Sequence, residues 1–171
     1  CYALMLIVIG SGIFGMVVYL RYPQLMSSNR AGTKPDVLLE EINDLDQRAL
    51  RVANEMPRRF GDVLRSNREG TRVGGSTRAI LGGLDLSTIN LPAAGGASQQ
   101  VPNSEQAALL DWLGDELARS TDGDLTKRIG DLLSVVATRR NQLRRLRRDA
   151  QIRGWLEIWL YVHVPVTLAL I

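Results

Sequence analysis

Charge is placed along this chain in a way that few folds accommodate. From residue 1 to residue 20, and again from 155 to 171, the only charged side chain is Glu157. Nearly all other charge lies between Arg21 and Arg153, so the averages of 45% hydrophobic, 23% charged and net charge +3 describe no part of the chain. Two apolar ends bracketing a polar middle must be read separately.

Tyr2 to Leu20 is free of charge and, as a helix, would run roughly 28 Å, close to the hydrocarbon thickness of a bilayer. Arg21 closes it, and Tyr19 and Tyr22 stand where an interfacial aromatic belt would lie. A cleaved signal peptide fits less well, because no positive charge precedes the run and no small-residue cleavage site follows it. Trp155 to Ile171 is the second apolar segment, with Trp155, Trp159 and Tyr161 at its start and Pro165 inside it. The expectation is therefore two transmembrane helices, 2–20 and 155–171, the second truncated. Residue 1 is not methionine and both ends fall within apolar runs, so a window of a longer chain is expected. Cys1 is the only cysteine. No internal disulfide can form, and an apolar run directly after it argues against a lipidated start.

Lys34 and Lys127 are the only lysines among 21 basic residues. Arg139, Arg140, Arg144, Arg145, Arg147, Arg148 and Arg153 crowd the approach to the second segment. Beside a membrane segment, such a cluster reads as a topology signal and a surface for anionic lipid rather than a nucleic-acid patch. It places the central region, 21–154, on the cytoplasmic side of a bacterial inner membrane, with the lipid bilayer and other membrane subunits as partners.

The middle reads as helical. Thr33, Pro35 and Asp36 form a helix start, followed by Leu38, Ile42, Leu45, Ala49, Val52 and Met56 on one stripe, giving a helix at about 36–56. Residues 60–103 carry eight glycines and two prolines and read as a long Gly-rich loop with room for short local elements near 78–91, mobile or held by a partner. Asn103 or Ser104 can cap a helix at 104–119 that buries Leu109, Trp112 and Leu113. A near-heptad run through Leu125, Ile129, Leu132, Val136, Leu143 and Leu146 predicts a helix over 124–153 that can continue into the last segment. The expected class is all-α. The first and last helices of the middle region can pair as an antiparallel stalk or join an ordinary small bundle.

Gly10-Ser11-Gly12-Ile13-Phe14-Gly15 matches a dinucleotide fingerprint on paper. The fingerprint needs a strand before it and an alternating strand–helix unit around it. Neither is present here, so no dinucleotide is expected. Ser11 and Gly15 instead form a small-xxx-small face for close helix packing. His163 is the only histidine and lies in the second apolar segment. It can ligate haem iron, hydrogen-bond a neighbouring helix or bound pigment, or face water at an interface. With no other histidine and no cysteine beyond Cys1, the usual nucleophile–base pairs are missing and hydrolytic chemistry has little support.

Ser11-Gly12 through Gly15, Tyr19-Leu20-Arg21-Tyr22-Pro23 and Asn29-Arg30 resemble a membrane helix and its exit in bacterial multi-span redox proteins. Trp159-Leu160-Tyr161-Val162-His163-Val164-Pro165 resembles the start of a histidine-bearing helix in the same group, the b-type cytochrome-like membrane subunits. The resemblance covers only the two apolar segments. It implies a subunit of a bacterial electron-transfer complex, with His163 ligating haem b and a second ligand supplied from outside these residues. The alternative is a non-catalytic, membrane-anchored scaffold or assembly subunit whose helices and loop grip a larger complex.

Overall fold

The structure, a computed structural model, describes residues 2, 5–6, 8–17, 20, 34–93 and 97–170. Thr33, Arg21, Tyr22 and the rest of the connection between the first apolar segment and the middle region lie outside the described residues, as do Tyr19 and Ile171.

Helix α1 (Pro35–Asn54) starts on a proline, whose fixed φ suits the first turn, with Asp36 beside the positive end of the helix dipole. Pro57 interrupts the backbone, and α2 (Arg58–Gly70) follows at once. Phe60, Val63, Leu64 and Asn67 are its buried side, at the i, i+3, i+4, i+7 spacing of one helical face. A short α3 (Thr77–Leu81) is capped by Ser76, whose hydroxyl accepts the Ala79 N–H. Strands β1 (Thr88–Pro92) and β2 (Ser98–Pro102) then pair antiparallel, Ile89 opposite Val101 and Asn90 opposite Gln100. A 3-10 turn (Ser104–Gln106) leads into α4 (Ala107–Arg119), where the Asn103 carboxamide oxygen accepts the Leu109 N–H. Last comes α5 (Gly123–Leu170), 48 residues without a break, roughly 72 Å at 1.5 Å per residue.

The core gathers Ala49, Ala53, Phe60, Val63, Leu64, Ile89, Leu109, Leu113, Ile129 and Leu132 from α1, α2, β1, α4 and the first third of α5. Trp112 tilts against Phe60 with ring centroids 5.1 Å apart. Glu55 meets Arg128, Asp46 meets Arg139 and Glu41 meets Gln142. One number falls as the other rises, so α1 and α5 run antiparallel. A second, smaller cluster of Ile42, Leu143 and Leu146 seals the pair further along.

Three expectations are corrected here. The chain is mostly helical but not all-α, because the stretch expected as one long loop holds α2, α3 and a two-stranded sheet. The apolar segment at 155–171 is not a transmembrane helix of its own. Its residues to Leu170 are the end of α5; Glu157, His163 and Thr167 dilute its hydropathy, and Arg153 stands just before it. Among the described residues, no helix is long and apolar enough to cross a membrane. The segment at 2–20 falls partly outside the described residues. With the membrane helices goes their consequence, the bacterial inner-membrane localisation with a cytoplasmic middle, because the positive-flank argument needs a membrane helix to orient.

Candidate functional site

Residues 8–17 are helical and lie beside the far end of α5. Val8, Ser11 and Gly12 are half-buried and Gly15 is buried, a stripe at helical spacing. Ser11 meets His163, while Gly15 meets Trp159. The order again reverses, so this pair is antiparallel too. A β-carbon on Gly15 would collide with the Trp159 benzo ring. The close approach therefore depends on glycine.

His163 is the centre of this cluster. Its Nδ1 lies 2.8 Å from Ser11 Oγ. The Trp159 indole stacks on the imidazole, centroids 4.8 Å apart and planes 17° apart. The Trp159 N–H donates to the same Ser11 oxygen at 3.3 Å. One turn on, the Thr167 hydroxyl donates to the His163 carbonyl at 2.7 Å and stands 3.5 Å from Nε2. Trp159 and His163 face residues 8–17, and Thr167 continues their i, i+4, i+8 row. The ring is fixed in plane and orientation. If Nδ1–H donates to Ser11, the Nε2 lone pair is free to bind a metal; if Ser11 donates to Nδ1, Nε2 carries the proton and binds none. Among the described residues, no three or more His, Cys, Asp and Glu side chains are grouped to hold a metal ion.

The structure brings together His163 and the Ser11–Gly15 packing face, which the sequence singled out separately. Trp159 was read there as an interface marker and as the start of the histidine-bearing stretch, not as a partner of Ser11 or Gly15. Its role under His163 is legible only once the two ends of the chain are known to meet.

The seven arginines go to different places. Arg139 is buried with Nε 2.6 Å from Asp46 Oδ1, and it donates to Gln106 Oε1 at 2.8 Å and to Thr71 Oγ1 at 3.2 Å. Arg147 is largely buried. It pairs with Asp85 at 2.7 Å and donates to the Arg72 carbonyl and to Ser87 Oγ. Burial draws its pKa below the ordinary arginine range, opposed by Asp85. Arg140 and Arg144 both donate to Glu105 Oε2, at 3.0 and 2.6 Å. Arg153 reaches Asp149 at 3.5 Å. Arg145 and Arg148 lie on the same stretch of α5, and Arg148 lines an open cleft with Arg140, Arg144 and Arg147.

Glu105 and Gln106 were missed in the sequence and are the backbone's outliers, with φ of 50° and 62°. The left-handed region costs a non-glycine residue roughly 1–2 kcal/mol. Asp85 Oδ2 holds the Glu105 N–H at 2.6 Å and Arg139 holds the Gln106 side chain. The hydrogen bonds from Arg144 and Arg140 keep the Glu105 carboxyl below the usual carboxylate range. No family model, curated protein or solved structure matches the chain.

Proposed function

We propose that the chain is a non-catalytic assembly subunit, whose apolar end docks on apolar helices of a larger complex while α5 holds the arginine-rich body at a set distance. What carries the reading is the face of α5 next to the histidine row. Leu160, Val164 and Leu168 form an i, i+4, i+8 stripe with 49%, 47% and 68% of their surface exposed. Ile9, Ile13, Met16 and Leu20 make a matching exposed stripe on the first segment. A continuous apolar surface of this kind marks an interaction site rather than an ordinary exterior. Its partner must itself be apolar, because Glu157 is the only charged residue along it. α5 then carries the geometry, since it enters the body's core without a break.

The test is the paired substitution Leu160→Glu and Val164→Glu in the full protein, expressed in its own host. Desolvating one carboxylate against an apolar partner exceeds the 1.4 kcal/mol that makes a factor of ten. The fraction sedimenting as a complex is expected to fall at least about tenfold, with the body's unfolding midpoint unchanged. An unchanged complex sinks the reading.

One observation favours a second reading, in which the complex transfers electrons and His163 ligates haem. A ligating histidine has its second nitrogen held by a polar neighbour, which fixes ring orientation and tautomer, and Ser11 is placed to do that at Nδ1. A second histidine ligand would come from outside these residues, since His163 is the only histidine among them. A reduced-minus-oxidised absorption spectrum of the purified complex decides. Absence of a b-type signal, or one that His163→Ala leaves unaltered, removes this reading and leaves the assembly role standing.

A further inference from the structure

The cleft on the arginine face of α5 has a volume of about 240 Å³, is also lined by Gln151 of the same helix, and is walled by Gly83, Asp85 and Glu105 on the side away from it. That is below the roughly 300–1,000 Å³ of pockets for drug-sized ligands and suits a small ion. Arg140, Arg144 and Arg148 stand in one i, i+4, i+8 row along it, where successive side chains are neighbours. Arg147 is neutralised by Asp85 and saturated by the Arg72 carbonyl and Ser87, so it serves as wall. The remaining balance is three guanidiniums against the one carboxylate of Glu105.

That carboxylate is an imperfect occupant. Arg140 and Arg144 both address its Oε2, although a guanidinium offers five donors and suits two acceptor oxygens side by side. The Arg140 Nε is buried with no hydrogen-bond partner. Glu105 reaches the cleft only because residues 105 and 106 are held in the left-handed region by Asp85 and Arg139. A strained backbone that persists because its surroundings impose it is a mark of a functional segment.

We propose that this cleft is a binding site for a phosphoryl group, and that Glu105 is an internal anion which the ligand displaces. A phosphoryl group brings two negative charges and three acceptor oxygens to the three guanidiniums left when Glu105 is displaced, more charge than the one carboxylate it replaces. It can take paired N–H donors from Arg140 and Arg144 together, which a single carboxylate oxygen cannot. Displacement frees residues 105 and 106 to leave the left-handed region.

The experiment is calorimetric titration of the full chain with inorganic pyrophosphate at fixed ionic strength, alongside binding to phosphatidylcholine–phosphatidate vesicles with pure phosphatidylcholine vesicles as control. Glu105→Gln removes the competing charge and is expected to tighten binding about tenfold, the effect of one charge-assisted hydrogen bond. Arg144→Ala should weaken it by a similar factor. Arg144→Lys, which keeps the charge but loses the fork, should weaken it less and guards against a variant that fails to fold. Saturable pyrophosphate binding with this pattern identifies a free phosphoryl anion. The same pattern on phosphatidate vesicles alone identifies a headgroup. The proposal is overturned if neither probe binds, if Glu105→Gln leaves affinity unchanged, or if Arg51→Ala, on exposed α1 surface, weakens binding as much as Arg144→Ala.

Discussion

Arg139 and Arg140 are adjacent in sequence and opposite in situation. The side chain of Arg139 is 3% exposed and that of Arg140 is 35% exposed. Seven arginines close together read as one solvent-facing band, because local sequence records charge but not its partners. Asp46, Thr71 and Asp85, which draw Arg139 and Arg147 inward, lie more than sixty residues away along the chain. No local spacing reveals them. The energetic consequence is specific. Truncating one member of a buried, hydrogen-bonded ion pair strands the other charge, at about 3–5 kcal/mol. Arg139→Ala is expected to destabilise the protein by that much in urea unfolding, through Asp46 and the Gln106 side chain left behind. Replacing both partners, Arg139→Met with Asp46→Leu, should recover most of the loss. If the single and double variants unfold alike, the pair is not what holds this part of α5 to α1.

At the scale of elements, what was legible follows from periodicity. Leu38, Ile42, Ala49 and Met56 recur on one stripe in the sequence and are buried in the structure. The sheet was not legible, and the reasons can be named. β1 and β2 are five residues each, each ends on a proline, and β2 is Ser-Gln-Gln-Val-Pro, with no exposed–buried alternation to distinguish it from loop. Ile89 alone is fully buried, and the rest of the hairpin is held by contacts from elsewhere, such as the Asn90 N–H on Ser66 Oγ at 2.7 Å. Gly70 is the joint that lets α2 lie against β1. A β-carbon there would collide with the Thr88 carbonyl oxygen and come 2.9 Å from its carbon, both fixed backbone atoms. Gly70→Ala should therefore cost about 1–3 kcal/mol, although alanine normally favours a helix. Chemical denaturation measures the sign. A neutral or stabilising result would mean that the hairpin can slide off α2 at little cost.

For the whole molecule, α5 is the feature that joins everything else. Its first third closes the core with Ile129 and Leu132, its middle presents the arginine row, and its end carries His163 and the exposed apolar stripe. The sequence shows the helical pattern on both sides of Gly154 but also a sharp change of composition there, and composition was read as a boundary. Helix formation depends on local backbone geometry and does not register that boundary. The body's last hold on α5 is α3, where Gln151 donates to the Leu81 carbonyl at 2.9 Å and the Leu81 and Ile80 side chains close over Gly154. Beyond that point the helix can transmit position to a partner only if it stays straight. Ile152→Pro tests this without touching the core, the histidine row or the exposed stripe. Proline removes the hydrogen bond to residue 148 and forces its ring against that carbonyl, at about 3 kcal/mol or more of local helix stability. If α5 works as a rigid link, the substitution should lower the yield of assembled complex about as much as Leu160→Glu with Val164→Glu does. The unfolding midpoint of the body, followed by amide hydrogen exchange of its core helices, should stay close to that of the parent. If the yield is unchanged, the apolar end binds its partner as a tethered peg, and the distance set by α5 is not part of the function.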